Sequence, residues 1–296
     1  MKVAPIVSLD PSLYREIVHR ALAEDLRSGD VTTDAIIPID QRAIGSLITN
    51  TPCTLAGVEV AVEAFMQRDP DADVSRLHAD GDRCKSGDTV LILRGCASAL
   101  LSAERTALNF LQRMSGTATL TQKFVEAVAG RTVITDTRKT TPTLRVLEKY
   151  AVRAGGGVNH RVALDDGVLI KDNHIQLIGS VAEALRRGQA VGGDIPLEVE
   201  AQSLKEVDEA VAAGADIVLV DNLSTAEVRE AVKRVGERAK IEVSGGITLD
   251  RVSELASIGV TYISVGSLTH SAPAADFSFD LRPESEALLK EVTNTI

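Results

Sequence analysis

The sequence predicts an α/β protein whose larger part is an incomplete (β/α) barrel of six or seven strands. From residue 131 onward, short β-rich runs alternate with amphipathic helical stretches. The residues that close successive runs lie 35, 29, 21, 23 and 22 positions apart, which suits strand–helix units joined by right-handed crossovers. Each run ends in a polar residue or a glycine, and six strand ends converging on one site favour a barrel over an open doubly wound sheet. The predicted strands are residues 132–135, 168–170, 195–199, 217–220, 241–243 and 262–265.

The pattern of the first hundred residues predicts a sheet packed against helices. Apolar residues at helical spacing predict a helix over residues 13–22, and strand-like runs cover residues 44–49 and 89–94. Few residues in this half suit chemistry. We place an N-terminal domain at residues 1–112 and the barrel domain at residues 113–270, and we expect the tail, residues 271–296, to pack back on the N-terminal domain.

A long helical pattern joins the two parts. Ser102 can cap its start, and Ser115-Gly116 interrupts the pattern, so two helices are predicted, the second ending near residue 129. Arg105 falls on the polar side of the first helix. From the sequence alone, we expect Arg105 to be an exposed side chain on the surface.

Composition restricts the class of protein. The chain has 296 residues and a formal charge of −10, with 44% hydrophobic residues, which argues for a globular protein and against nucleic-acid or anionic-membrane binding. No apolar run is long enough to span a bilayer, and we expect no signal peptide. The three cysteines are odd in number and lack CxxC spacing, so free thiols and a cytoplasmic location are expected.

Cations gather where the predicted barrel opens. Residues 131–171 contain eight Lys and Arg against four Asp and Glu, although the whole chain is acidic. Arg138-Lys139 and Lys171 follow predicted strands, and His160-Arg161 precede one. A solvated basic face is the alternative, but side chains at the carboxyl ends of barrel strands point into the mouth. A basic mouth on an acidic protein indicates a multiply anionic small substrate.

Carboxylates close the next two strands. Glu200 and Asp221 end these strands, and Glu198 points the same way as Glu200. They could bind ribose hydroxyls, a divalent metal such as Mg²⁺, or both. The alternative is that they pair with lysines and hold the barrel closed. Neither His160 nor His174 can be assigned a role as general acid, and histidine spacing does not predict a metal site.

The last two strands end in glycine-rich segments, Ser244-Gly245-Gly246 and Gly266-Ser267. Glycines there let backbone N–H groups approach an anion, and barrels often bind phosphate after their final strands. No G-x-G-x-x-G fingerprint is present, since residues 155–157 do not follow a strand. These residues support a barrel enzyme that binds a phosphorylated sugar and a carboxylate-rich ligand. A Schiff-base aldolase using Lys171 or Lys139, and a ligand-sensing barrel without turnover, remain open.

Long motifs resemble the quinolinate phosphoribosyltransferase family. The central ones are residues 136–142 (DTRKTTP), 153–161 (RAGGGVNHR) and 169–174 (LIKDNH). The resemblance covers nearly the whole chain through residues 24–26 (EDL), 29–33 (GDVTT), 104–111 (ERTALNFL), 198–200 (EVE), 221–222 (DN), 244–247 (SGGI) and 265–267 (VGS). The sequence departs from the family pattern at Thr143, Ala154 and Ala163, where Gly, Cys and Gly are common. These departures bear only on local loop geometry.

The resemblance implies a seven-stranded α/β barrel with an N-terminal α/β sandwich, assembled as a homodimer. It also implies Mg²⁺ and the reaction of quinolinate with phosphoribosyl pyrophosphate to give nicotinate mononucleotide, pyrophosphate and CO₂. This is a step of NAD biosynthesis. A phosphoribosyltransferase of the same fold acting on another aromatic acid is the nearest alternative.

The resemblance also assigns residue roles. The pyridine dicarboxylate would be held by Arg105 of the neighbouring subunit and by Arg138, His160, Arg161 and Lys171, with Thr137 and Lys139 nearby. Glu200 and Asp221 would hold the ribose hydroxyls and the metal. The 5′-phosphate would be held by Ser244, Gly245, Gly246, Val265, Gly266 and Ser267. The expected catalytic groups are Lys139, Lys171, Glu200 and Asp221.

Overall fold

A computed structural model of the chain describes residues 6–191 and 195–285. The chain divides into two compact units. The barrel unit comprises Thr121–Thr141 and Gly157–Ser271. The N-terminal unit comprises the residues before 121, Pro142–Gly156 and the residues after 271. Residues 142–156, which fall inside the predicted barrel domain, therefore cluster with the N-terminal unit.

The strands of the described residues, in chain order, are β1 Arg42–Thr49, β2 Cys53–Thr54, β3 Asp73–Arg76, β4 Arg83–Cys84, β5 Thr89–Cys96, β6 Val133–Thr135, β7 Val168–Ile170, β8 Leu197–Ala201, β9 Ile217–Asp221, β10 Lys240–Ser244, β11 Tyr262–Ser264 and β12 Phe277–Pro283. All six strands predicted for the barrel are present, as β6 to β11. The predicted runs at residues 44–49 and 89–94 are present as β1 and β5.

The helices, in the same order, are α1 Arg15–Leu26, α2 Val31–Ile36, α3 Val58–Arg68, α4 Ala97–Val128, α5 Arg145–Ala154, α6 Asp172–Ile178, α7 Val181–Gln189, α8 Leu204–Ala212, α9 Thr225–Val235, α10 Leu249–Ile258 and α11 Ser267–His270. A short 3-10 turn, Pro11–Leu13, precedes α1. None of the described helices, the 32-residue α4 included, is both long and apolar enough to cross a membrane.

The barrel unit is a parallel sheet with the order β6-β11-β10-β9-β8-β7. Strand β8 is buried along its whole length, as expected when helices cover a parallel sheet. Helices α7 to α10 each begin at a Ser or Thr whose hydroxyl accepts a hydrogen bond from the backbone N–H three residues later. The caps of α8, α9 and α10 lie within four residues of the end of a strand, so these loops are short, whereas α7 follows α6.

The incomplete α/β barrel is confirmed, with one difference in strand number. The sheet has six strands in the described residues, and the seventh that the resemblance implied is reduced to a single parallel bridge between Val158 and Thr135. The Val158 N–H donates to Ile134 O at 2.9 Å, and the Asp136 N–H donates to Val158 O at 3.2 Å. This bridge fixes the segment around Val158 beside β6.

The N-terminal unit contains an antiparallel sheet with the order β12-β1-β5-β3. Strand β12 comes from the tail of the chain and pairs with β1 from Ala43↔Pro283 to Thr49↔Phe277. The sheet packs with α1, α3 and α4 around a core that includes Leu47, Phe65 and Leu93. All three cysteines are free thiols, as expected.

The prediction of two helices around Ser115-Gly116 is wrong, because α4 is continuous. The Ser115 hydroxyl is fully buried and exchanges hydrogen bonds with the backbone of Ala56, so it is satisfied within the helix. Gly116 is needed for a close approach, since a Cβ there would lie 2.0 Å from Pro273 O. Ser102 is not a cap either. It lies inside α4 and donates to Ala99 O at 3.0 Å.

Candidate active site

The carboxyl ends of the barrel strands surround a cavity of about 950 Å³, part of it open to solvent. We call it the mouth cavity. Its lining is Asp136, Thr137, Arg138, Lys139, His160, Arg161, Leu169, Lys171, Glu200, Leu219, Asp221, Glu242, Ser244 and Ser264. Nine of the residues proposed from the sequence are in this set. The proposed residues outside it are Arg105, Gly245, Gly246, Val265, Gly266 and Ser267.

Two guanidinium groups, those of Arg138 and Arg161, line the mouth cavity. Arg138 Nε is buried and, among the described residues, has no hydrogen-bond partner. Burial and the positive charge of Arg138 lower the pKa of Arg161. Arg161 itself is tethered through Nη1 to Gly167 O at 3.2 Å. Two like charges brought together with an unsatisfied donor form a site that gains from a bound anion.

The lysine and carboxylate of neighbouring strands β7 and β8 form an ion pair. Lys171 Nζ lies 3.1 Å from Glu200 Oε2, and Glu200 is buried whereas half of the Lys171 side chain is exposed. The pairing that the sequence offered as an alternative role therefore exists. It leaves two donor positions of the ammonium group able to face the cavity.

Asp221 closes β9 at the same edge. Its Oδ2 accepts a hydrogen bond from Asn222 Nδ2 at 2.6 Å. Asn222 adopts a positive φ of 57°, which turns the chain sharply after the strand. The turn keeps Asp221 half-buried beside Ser244, its partner in β10.

His160, which is partly buried, forms a cluster with two buried carboxylates. His160 Nε2 is 3.0 Å from Glu198 Oε2 and 3.7 Å from Glu242 Oε1. Burial and the nearby charge of Glu198 raise the pKa of Glu242 to about 7, and the Ser264 hydroxyl donates to Glu242. The sequence argument did not select Glu242. The available signal was an acid in the middle of the otherwise apolar run of β10.

The proposed phosphate segments lie at the ends of β10 and β11. Gly245 has φ +86°, and a Cβ there would lie 2.2 Å from Asn222 Oδ1. Arg251, which sequence reasoning missed, joins the loops after β9 and β10, donating to Leu223 O at 2.6 Å and to Gly245 O at 3.3 Å. Gly266 borders the mouth cavity, because a Cβ there would lie 3.2 Å from Lys139 Cδ. Arg105 is exposed on α4 in the N-terminal unit.

Comparison with known proteins decides the family. Residues 30–115 match the model of the quinolinate phosphoribosyl transferase N-terminal domain, and residues 117–280 match that of its C-terminal domain. The chain belongs to the quinolinate phosphoribosyltransferase family. It is therefore an enzyme of the phosphoribosyltransferase class, which removes the aldolase and the non-enzymatic barrel as alternatives.

Known proteins are similar in sequence to this chain over nearly its full length. The chain is 44% identical to a nicotinate-nucleotide pyrophosphorylase [carboxylating] of Mycobacterium leprae, over 90% of this chain and 96% of that protein. It is 41% identical to a probable enzyme of the same name from Bacillus subtilis, over 93% and 95%. The crystal structure of NadC from Streptococcus pyogenes superposes with a TM-score of 0.90 at 41% identity, covering 94% of this chain and 99% of that chain.

Proposed function

We propose that this protein transfers the phosphoribosyl group of phosphoribosyl pyrophosphate to quinolinate and releases CO₂, giving nicotinate mononucleotide. The observation that carries the proposal is the buried Nε of Arg138, which has no hydrogen-bond partner among the described residues and lies near the guanidinium of Arg161. Quinolinate carries two carboxylates on adjacent ring carbons. Two guanidiniums and the Lys171 ammonium offer them paired N–H donors and a point charge in one cavity.

The carboxylates of the mouth cavity suit the sugar. When pyrophosphate leaves, the anomeric carbon of the ribose gains oxocarbenium character, and a nearby carboxylate stabilises that positive charge. Glu200 and Asp221 line the same cavity and can also accept hydrogen bonds from the ribose hydroxyls. The glycine segments at Gly245 and Gly266 can admit the 5′-phosphate to backbone N–H groups.

The proposed reaction requires no covalent intermediate between enzyme and substrate. The lone pair of the pyridine nitrogen forms the new bond to the anomeric carbon, and the bond from that carbon to pyrophosphate breaks. The ring nitrogen becomes cationic. The C–C bond to the adjacent carboxylate then breaks, CO₂ leaves, and the electron pair stays on the ring carbon beside the cationic nitrogen until a proton is added. The cations of the cavity hold the second carboxylate throughout.

The donor chemistry of the mouth cavity fits Mg²⁺. Magnesium in phosphate-transfer sites is held by one or two carboxylates together with substrate phosphates and water. Asp221 Oδ2 accepts only a neutral amide in the contacts described, and Glu200 is shared with Lys171. Asp221 and Glu200 are the residues that would hold the ion. When bound, it would supply charge stabilisation for the departing pyrophosphate.

We also propose that the enzyme is a cytoplasmic homodimer in which Arg105 serves the neighbour's mouth cavity. Two-fold symmetry would make this contact reciprocal. Arg105→Ala and Lys171→Ala homodimers should each be nearly inactive, whereas subunit mixing should restore about a quarter of wild-type activity, since half of the dimers then carry one intact site of two. No recovery on mixing would show that Arg105 serves its own chain.

The experiment that tests the function supplies phosphoribosyl pyrophosphate, Mg²⁺ and a panel of pyridine carboxylates while CO₂ and nucleotide are measured. Quinolinate should be turned over. Nicotinate should be a poor substrate, because a missing carboxylate leaves cations of the mouth cavity without a partner, and we expect a loss of more than tenfold, or about 1.4 kcal/mol. Turnover of nicotinate within tenfold of quinolinate would contradict the proposal, and preference for another aromatic acid would favour the related-transferase alternative.

A further inference from the structure

A cluster of side chains that can ligate a metal lies in the N-terminal unit. Ligand atoms of His78, Cys84 and Asp88 all lie within 4.8 Å of one another. The ligands of a tetrahedral Zn²⁺, bound at about 2.0–2.3 Å, are about 3.3–3.8 Å apart. Shifts of about 1 Å would therefore bring these three side chains onto a common ion.

A second thiol lies next to this cluster. Cys53 of β2 is the direct partner of Cys84 of β4 in an antiparallel pair. Directly opposite residues in such a pair carry their side chains on the same face, with Cβ atoms about 4.5–5.5 Å apart. Both cysteines are buried, and both are free thiols. Two thiols, an imidazole and a carboxylate are thus available as four ligands.

The electrostatics of the cluster favour a bound cation. Burial, followed by the charges of Cys53 and Asp88, raises the pKa of Cys84 to about 12. Burial also raises the pKa of Cys53, and the charge of Asp88 adds to this increase. The three groups therefore repel one another as anions. A divalent cation between them would offset that repulsion and hold both thiols as thiolates.

Two further contacts hold the exposed side of the cluster in place. The Lys85 N–H donates to Asp88 Oδ2 at 2.7 Å, so the other carboxylate oxygen can face an ion. His78 Nδ1 lies 3.6 Å from Asp82 Oδ2, and a carboxylate beside a ligand histidine fixes the orientation of its ring. His78 and Asp82 also line a cavity of about 850 Å³, part of it open to solvent, which gives an ion a route to the cluster.

We propose that His78, Cys84 and Asp88, with Cys53 as the fourth ligand, bind Zn²⁺ at a structural site. Four protein ligands leave no open position for a substrate, which is the pattern of a structural rather than a catalytic zinc. Sulfur and nitrogen ligands favour Zn²⁺ over Mg²⁺, which prefers oxygen. Each thiol releases its proton to solvent as its sulfur binds the metal, so about two protons leave per ion.

The bound ion would cross-link parts of the N-terminal unit that are separate in the chain. It would join β2 to the segment between β3 and β4 and to the turn before β5. The inference is independent of the proposed function, because none of the four ligands is assigned to substrate or to Mg²⁺. The site therefore predicts an effect of zinc on stability.

Cobalt substitution tests the site directly. Co²⁺ added to the reduced, metal-free, full-length protein should give thiolate-to-cobalt charge-transfer absorption together with the intense visible bands of tetrahedral Co²⁺, and one equivalent of Zn²⁺ should remove both. The charge-transfer absorption requires a thiolate, so an ion held by carboxylates of the mouth cavity cannot produce it. Binding without this absorption, or no binding at micromolar protein, would overturn the proposal.

Single substitutions identify the ligands. Cys84→Ala and His78→Ala should each weaken Zn²⁺ binding by more than about 100-fold, since loss of a direct ligand costs more than loss of an outer contact. His78 is partly exposed, so its variant keeps the test decisive if Cys84→Ala does not fold. Cys96→Ala is the matched control, because its thiol contacts Ser98 Oγ at 3.2 Å and should leave binding unchanged. Wild-type affinity in both ligand variants would overturn the proposal.

Stability and thiol chemistry provide the last two measurements. Saturating Zn²⁺ should raise the thermal unfolding midpoint of the wild type and of Cys96→Ala but not of Cys84→Ala. Zinc-loaded protein exposed to air, then unfolded with a chelator and alkylated, should show all three cysteines as free thiols by mass spectrometry. A disulfide between Cys53 and Cys84 in that sample would overturn the proposal. Failure to turn over quinolinate would refute the proposed function and leave these outcomes unchanged.

Discussion

The barrel unit and the N-terminal unit differ in whether their buried polar side-chain atoms have hydrogen-bond partners. In the described part of the chain, the buried side-chain polar atoms without a hydrogen-bond partner are Thr135 Oγ1, Arg138 Nε and Glu198 Oε1, all in the barrel unit. In the N-terminal unit, the partly buried carboxylate of Asp80 accepts hydrogen bonds from the Tyr150 hydroxyl at 2.6 Å and from the Val58 N–H at 3.0 Å. Among the described residues, the unsatisfied buried atoms thus lie in the barrel unit, whereas the Asp80 carboxylate of the N-terminal unit is satisfied.

Charges show the same contrast. In the N-terminal unit, Arg76 is paired with Glu59 through two hydrogen bonds, and this raises the pKa of Arg76. In the barrel unit, burial and then the positive charge of Arg138 lower the pKa of Arg161. A guanidinium paired with a carboxylate stabilises the fold, whereas two guanidiniums that lie close together are stabilised when an anion binds between them. The four predictions below test this contrast, and the first has the largest expected effect.

Removal of a mouth lysine should have the largest effect. Lys171→Ala leaves Glu200 buried without its partner and removes a cation from the mouth cavity, so kcat/KM should fall about 100- to 1000-fold. Lys205→Ala is the matched control, because Lys205 forms an exposed ion pair with Glu209 on α8. Steady-state kinetics of both variants should show the loss in the first alone. Comparable activity would mean that the Lys171–Glu200 pair only supports the barrel.

Adding a methyl group to a glycine should separate binding from folding. In Gly245→Ala, the new Cβ would meet Asn222 Oδ1, so KM for phosphoribosyl pyrophosphate should rise tenfold or more, about 1.4 kcal/mol or above. Gly87→Ala is the control, since Gly87 has φ +89° and open space around it. There the cost should be about 1 kcal/mol of stability with unchanged KM. Urea unfolding and kinetics on both variants check the pair.

Loss of a satisfied hydrogen bond in the N-terminal unit should affect stability only. Tyr150→Phe removes the donor to Asp80 and should lower the free energy of unfolding by about 1.5 kcal/mol, at the low end for a bond to a charged group. The value of kcat/KM should stay within about twofold of wild type. Denaturant unfolding and steady-state assays measure the two effects, and a kinetic defect without a change in stability would contradict the assignment.

The buried acid of the barrel should make stability depend on pH. The pKa of Glu242 is raised from 4.5 to about 7, so the folded state binds this proton more tightly than the unfolded state. Its contribution is complete below about pH 4.5 and is lost as pH rises through 7, with a slope of at most about 1.4 kcal/mol per pH unit. Glu242→Gln should flatten the unfolding free energy between pH 5 and 7.5. Identical pH profiles would contradict the raised pKa.

The sequence was sufficient to predict the positions of the barrel strands along the chain and the residues that gather at their carboxyl ends. Hydrophobic periodicity and the polar residue closing each run are local signals, and parallel strands bring their carboxyl ends together whatever their spacing. Arg138, Lys171, Glu200 and Asp221 could therefore be placed at one site from the chain alone. Long motifs such as residues 169–174 (LIKDNH) supplied the family, which spacing could not.

Only the tertiary structure decided which groups are paired and which are left open. The local sequence at Ser115 and Gly116 predicts a break in the helix. In the structure, the backbone of Ala56 satisfies the Ser115 hydroxyl. The backbone of Pro273 lies so close to position 116 that only a glycine fits there. Glu242 lies 44 residues beyond Glu198 in the chain, so neither its proximity to that carboxylate nor its raised pKa is visible in either local pattern. Burial and electrostatic coupling depend on distances between residues remote in sequence, and folding alone determines those distances.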